Sequence, residues 1–288
     1  MNYLKSIVLC TSLLVCALLY SCSTAEQVQQ QNPELIVIES AHLKCNDSIL
    51  VFTPQCCAKV AAEGKAVPTL FLLHGWSGCY SDWSRKHDIQ EISNRTGFRI
   101  ICPDGFYNSW YLNNTDTTKM QWRTFFDTEC FPMLKEKFNL VADSTFITGL
   151  SMGGHGAVNL FLDHPENFRA AGSMSGVLNL QLTSLRDTEL AKVIGDKKER
   201  IDAESAVTRV AEKAQELKAM NKPIITTCGY NDVYVCCTDV FSEKCRELDI
   251  PHIKILSPGK HSWPYWGFAL EQHLWHFTKI LKGENLGY

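Results

Sequence analysis

"FITGLSMGGHGAVNLFL", Phe146 to Leu162, decides how this 288-residue chain is read. An apolar β-type run ends at Gly149; Ser151, Gly153, Gly154 and Gly156 follow, and then comes a helix-like apolar run. Glycine is costly inside regular structure, so this crowding marks a place where backbone must pass close to backbone. Gly149-Leu150-Ser151-Met152-Gly153 fits the pattern G-x-S-x-G between a predicted strand, Thr145–Thr148, and a helix predicted from Gly154. In such an elbow the serine occupies a strained turn with its hydroxyl pushed above the sheet. The helix N-terminus beneath it supplies amide donors and the positive end of a dipole. An ordinary glycine-rich turn is the competing reading, but the strand–turn–helix context favours a nucleophile.

Working outward, strand-like runs fall at Leu35–Glu39, Ser48–Thr53, Thr69–Leu73, Phe98–Cys102, Thr145–Thr148, Ala170–Met174, Ile224–Thr227 and His252–Leu256. Several are continuously apolar, as strands covered on both faces are. Helix-length segments lie between them at Asp82–Arg95, Arg123–Phe138, Gly154–Asp163, Ala203–Ala219, Val240–Leu248 and Ala269–Lys282. This alternation predicts an α/β fold with a mostly parallel sheet and helices on both faces. The first two strands, joined by a short connection, should form an antiparallel hairpin at one edge. The polar stretch Thr183–Ala206 reads as an excursion over the sheet beside the pocket.

A serine hydroxyl is a poor nucleophile at neutral pH and needs a base that is itself held by an acid. In this kind of fold the order along the chain is serine, acid, histidine, each in a loop after a strand. Asp232 in "IITTCGYNDVYV" and His261 in "IKILSPGKHSWPYW" both fall where that rule asks. Among rival histidines, His155 lies on the elbow helix, His164 ends it, His252 begins a strand, and His273 and His276 lie on the last helix. His74, before Gly75, reads as a residue that shapes its loop. Asp239 competes with Asp232 but lies deeper in a helix-like run. The negative tetrahedral oxygen needs two N–H donors, each often worth roughly 3 kcal/mol. The amides of Met152, directly after the nucleophile, and Trp76, in "LHGWSG", are the candidates.

The formal net charge of −3 gives no strong field to recruit nucleic acid or a membrane surface. The N-terminus, "MNYLKSIVLCTSLLVCALLYSCS", has a lysine, an apolar run too short for a confident membrane span, and then small residues, so it reads as an export signal. Leu19-Tyr20-Ser21-Cys22 resembles a bacterial lipobox, with Cys22 as the lipidated residue. Residues 1–22 are therefore expected to direct export, 23–34 to form a short polar tether, and 35–288 to form one catalytic domain. Ten of the thirteen cysteines lie in that body. Cys102 and Cys228 read as core thiols, and the vicinal pairs Cys56-Cys57 and Cys236-Cys237 as candidates for bridges elsewhere in the chain. No metal site is apparent in the cysteine and histidine spacing.

The motifs "LLHGWSG" (72–78), "PDGFYNSWY" (103–111), "GLSMGGHGA" (149–157), "HPENFRAAGSMSG" (164–176), "CGYND" (228–232) and "GKHSWPYW" (259–266) occur together in order. With them the chain resembles the esterase D-like family of α/β-hydrolases. That family includes S-formylglutathione hydrolases, feruloyl and acetylxylan esterases, and mycolyltransferases. The resemblance implies Ser151 as nucleophile, Asp232 as acid, His261 as base, and the amides of Trp76 and Met152 as oxyanion hole. It places Trp110, Tyr111 and Trp263 around the pocket and makes Asp104 a loop-shaping residue. It implies a serine esterase that needs no metal or organic cofactor; together with the export signal and the pocket aromatics, it leads to an expected small-molecule or glycan ester substrate carrying acetyl or feruloyl groups. An acyltransferase with the same three side chains is the nearest alternative, and a non-catalytic surface binding lipoprotein is a second. The cysteines depart from the family pattern.

Overall fold

A computed structural model describes residues 32–183, 189–284 and 286–287. Among these residues eight strands form one sheet. They are β1 (Glu34–Ser40), β2 (Cys45–Phe52), β3 (Thr69–Leu73), β4 (Arg99–Pro103), β5 (Thr145–Gly149), β6 (Ala170–Met174), β7 (Ile224–Gly229) and β8 (His252–Ser257). Their order is β1-β2-β4-β3-β5-β6-β7-β8. β2 runs antiparallel to both β1 and β4, and every other neighbouring pair is parallel. The predicted α/β architecture and the edge hairpin are both present.

The apolar runs are explained by their position. Every residue of β3, β4, β5, β6 and β7 is buried. Side chains alternate between faces along a strand. Phe71 and Leu73 of β3 therefore join a core with Phe126, Phe131 and Phe168 on one side. Leu70 and Leu72 join Phe98, Phe146 and Phe277 on the other. Edge-to-face ring pairs fix both layers, with centroids 5.9 Å apart for Phe71–Phe126 and 5.6 Å for Phe98–Phe146.

The helices that position the site are α1 (Ile89–Thr96), α2 (Met152–Asp163), α3 (Val235–Glu247) and α4 (Trp263–Leu281). All four depart from the predicted bounds, α2 by starting two residues before Gly154. The segment expected as one helix over Asp82–Arg95 breaks at His87, which is extended. Asp88 then restarts the chain as α1 by accepting the Glu91 amide at 2.9 Å. α3 starts five residues earlier than predicted and α4 six, with Pro264 in the first turn of α4, where a missing N–H costs nothing. The expected helix over Ala203–Ala219 is three short helices, Lys198–Glu204, Ala206–Glu212 and Ala214–Met220.

The cysteine bridges expected of the vicinal pairs do not form: all ten body cysteines are free thiols. Neighbours on a helix point about 100° apart, so Cys237 turns inward to the carbonyl of Asn179 while Cys236 faces solvent. Cys102 and Cys228 are buried, as core thiols should be. The expected leader, its lipidation residue Cys22 and most of the tether lie outside the described residues.

Candidate active site

The elbow is built by close backbone approach. Ser151 has φ 52° and ψ −115°, a conformation that L-residues rarely adopt. It is held from both sides: the Leu150 amide donates to the Leu73 carbonyl at 3.2 Å and the Ser151 amide to the Met174 carbonyl at 2.9 Å. A Cβ on Gly153 would lie 2.4 Å from the His74 carbonyl oxygen, so only glycine lets α2 begin against the end of β3.

Two loops bring the partners. The turn after β7 carries Asp232, and the loop after β8 carries His261. The Asn231 amide ties the two by donating to the Gly259 carbonyl at 3.0 Å. His261 Nε2 lies 3.0 Å from Ser151 Oγ, and its Nδ1 lies 3.0 Å from each carboxylate oxygen of Asp232. Residues separated by 110 and 29 positions thus form one hydrogen-bonded line at the carboxyl ends of the strands. The imidazole is clamped edge-to-face by Tyr234 and Trp266, at centroid distances of 5.0 and 4.9 Å.

The Asp232 side chain is inaccessible to solvent. Burial pushes its pKa up, but the bond and charge of His261 and the Tyr234 amide, 2.9 Å from Oδ1, outweigh that and hold the carboxyl below its usual range. It is ionised at neutral pH, which favours a proton on Nδ1 and leaves Nε2 to accept the proton of Ser151.

The rival residues are occupied elsewhere. His155 is fully buried, and burial, reinforced by Arg123 and Arg209, lowers its pKa to about 3. His273 is lowered to about 3 by burial and sits between the hydroxyls of Thr148 and Thr227 at 2.8 and 3.1 Å. His252, lowered to about 4, contacts Thr226 at 3.0 Å. His164 meets the surface acids Asp127 and Glu166, and His276 contacts the Gln272 carbonyl of its own helix. Asp239 pairs with Lys254 at 2.6 Å.

The amides of Ser77 and Gly153 are taken, by the carbonyls of Tyr107 and Leu150 at 2.7 and 2.6 Å. Those of Trp76 and Met152 donate to no acceptor among the described residues. Met152 directly follows Ser151, and Trp76 lines the same pocket as Ser151 one residue after Gly75, where an added Cβ would lie 3.5 Å from Ser151 Cβ. Met152 itself is buried, whereas Trp76 forms part of the pocket wall.

Ser151 and His261 open into a pocket of about 630 Å³. Trp76, Trp110, Trp263 and Trp266 wall it, with Tyr234 and Asp82. Two of the three predicted substrate-side aromatics, Trp110 and Trp263, are therefore at the pocket. Tyr111 is not. It is buried, its hydroxyl donates to the His74 carbonyl at 2.9 Å, and its ring fills the space left by Gly156. Trp266 and Tyr234 went unassigned in the sequence reading, although both lie within five residues of the predicted base or acid. Among the described residues, no group of three or more His, Cys, Asp or Glu side chains is placed to hold a metal.

Residues 40–277 match the model of the family described as "Putative esterase". An acetyl esterase of Caldicellulosiruptor saccharolyticus is 28% identical over 245 residues, which is 79% of this chain and 91% of the relative. S-formylglutathione hydrolase of Mus musculus is 26% identical over 84% of this chain and 92% of its own. Among solved structures, a ferulic acid esterase superposes with TM-score 0.73 at 24% identity, covering 86% of this chain and 98% of that one. The Staphylococcus aureus fluorophosphonate-binding serine hydrolase FphF superposes with TM-score 0.75 at 21% identity, with the same coverage. These two share the fold. The chain belongs to this esterase family and is a hydrolase of carboxylic esters.

Proposed function

We propose that Ser151, His261 and Asp232 hydrolyse carboxylic esters through an acyl-enzyme. His261 Nε2 takes the proton of Ser151 Oγ as the oxygen attacks the ester carbonyl. The tetrahedral oxygen is met by the amides of Trp76 and Met152. The imidazolium, stabilised by Asp232, then protonates the departing alcohol, and the acyl group remains on Ser151. A water deprotonated by His261 attacks that acyl ester, and collapse of the second tetrahedral adduct releases the acid and restores the serine. The observation that carries this reading is the unbroken line of 3.0 Å contacts from serine to histidine to buried carboxylate at an open pocket.

The substrate class we propose is an acetyl or feruloyl ester on a glycan, met by an exported enzyme tethered through Cys22. Four tryptophans around a pocket of about 630 Å³ suit an aromatic acyl group or a sugar face. The names of an acetyl esterase and a ferulic acid esterase among similar proteins point the same way. A panel of p-nitrophenyl, feruloyl and acetylated-glycan esters, assayed with wild type and Ser151→Ala, tests both levels. Turnover of at least one glycan ester by wild type, with Ser151→Ala folded but inactive on all, is the expected outcome. A folded, active Ser151→Ala would remove the serine from its role. A wild type that turns over only the p-nitrophenyl esters would remove the glycan substrate alone.

A further inference from the structure

His74 follows β3 and is 1% exposed, between the loop that carries Trp76 and the turn after β4. The amide of Gly105 donates to its Nε2 at 2.7 Å. That bond requires a lone pair on Nε2, so the imidazole is neutral and carries its proton on Nδ1. Asp104 Oδ1 also approaches Nε2, but at the longer distance of 3.2 Å, and it is itself taken by the Phe106 amide at 2.7 Å. Nδ1 lies 2.8 Å from the carbonyl oxygen of Gly75 and so donates to it, the shorter of two bonds there, since the Gly78 amide donates to the same oxygen at 3.2 Å.

That carbonyl has a particular neighbour. The C=O of Gly75 and the N–H of Trp76 are the two ends of one planar trans peptide and point in opposite directions. Holding the carbonyl therefore aims the N–H. The His74 ring is in turn fixed by the turn after β4. There Trp122 Nε1 donates to the Asp104 carbonyl at 2.9 Å, and the Asp104 amide to Asp47 Oδ1 at 3.2 Å.

We propose that His74 is a positioning residue for ester hydrolysis: its Nδ1–H aims the Gly75–Trp76 peptide so that the Trp76 N–H meets the oxyanion formed beside Ser151. The inference rests on the reading of Ser151 as nucleophile and adds a residue that touches neither substrate nor reacting atom.

Two substitutions separate positioning from packing. The amide nitrogen of asparagine overlies Nδ1 of histidine, whereas that of glutamine overlies Nε2. With a p-nitrophenyl ester, His74→Gln loses about 10²- to 10³-fold in kcat, the range for one missing oxyanion donor, with KM nearly unchanged. His74→Asn, which restores the donor to Gly75, stays within about tenfold of wild type. A space-filling role gives the opposite order, because glutamine is closer to histidine in size, and that order overturns the proposal. If either variant fails to fold, the imidazole ¹⁵N shifts of wild-type His74 decide, since a proton found on Nε2 rules the proposal out. Ser151→Ala is assayed alongside. If it is active, the nucleophile reading fails; if it is dead while His74→Gln keeps wild-type kcat, only the role of His74 fails.

Discussion

Asp47 of β2 lies at the back of this network and is fully buried. One oxygen accepts the Asp104 amide at 3.2 Å, and Oδ2 has no hydrogen-bond partner. Burial, and then the nearby charge of Asp104, lift its pKa from 3.8 to about 8. The folded chain therefore keeps this proton until about pH 8, while the unfolded chain gives it up near pH 4. Between those limits the folded state binds more protons, so this residue makes stability fall as pH rises, at about 1.4 kcal/mol per pH unit. Across the whole interval the loss is on the order of 5 kcal/mol, and above about pH 8 it stops growing. Asp47→Asn keeps an acceptor for the Asp104 amide and cannot ionise, so it escapes the loss. Its new N–H₂ group meets no acceptor, a fixed penalty of about 1–3 kcal/mol that does not vary with pH. Urea unfolding of both proteins at pH 5, 6, 7, 8 and 9 isolates the slope from that offset. The stability of Asp47→Asn relative to wild type should climb steadily to about pH 8 and then level. Parallel pH curves for the two proteins would refute the burial argument, because the carboxyl would then ionise as freely inside as outside.

Asp232→Asn removes the charge that stabilises the imidazolium and lets His261 carry its proton on Nε2, where it cannot accept one from Ser151. Turnover should fall about 10⁴-fold, the scale known for this exchange in a serine protease triad, with KM little changed; a loss under tenfold would mean that Asp232 only packs against the ring. Cys22→Ala in the full chain, expressed in a bacterium that processes lipoproteins, should abolish incorporation of radiolabelled palmitate and release the enzyme from membranes. An unlabelled, freely soluble wild type would sink the tether.

Much of the fold was legible because its signal is redundant. A strand covered on both faces must be apolar throughout, so β3 to β7 announce themselves without alternation, and the glycines of the elbow fix where the sheet meets α2. What failed were helix starts set by tertiary contact. The run after Asp232 opens with Val233-Tyr234-Val235, residues that suit a strand, yet it passes at Val235 into α3, which buries Cys237, Thr238, Phe241, Ser242 and Cys245 on one face. The break at His87 did leave a mark. Asp88 followed three residues later by Glu91 is a capping signal, overlooked because the surrounding residues suit a helix throughout. The bridges expected of the vicinal cysteines to other parts of the chain are absent: Cys56 and Cys236 face solvent, and Cys237 is buried against the Asn179 carbonyl.

The site divides along a different line. That Ser151, His261 and Asp232 would meet was legible in the sequence, because side chains in loops after successive strands follow an order the fold dictates. The proposed oxyanion donors are backbone amides, and nothing in the letters of Trp76 or Met152 distinguishes them; only the motif around them does. Trp110 and Tyr111 show what remained hidden. Both take left-handed backbone, with φ of 55° and 58°, a conformation costing roughly 1–2 kcal/mol per L-residue. Both are buried in the same core, but only Trp110 also touches the pocket wall. Tyr111 spends that strain on a specific contact: its hydroxyl holds the carbonyl of His74, the same carbonyl that Gly153 approaches from α2. The residue mistaken for a substrate contact thus anchors the peptide that leads into the loop of Gly75 and Trp76. Sequence proximity to the site was a true signal, and its meaning was support of the backbone from behind.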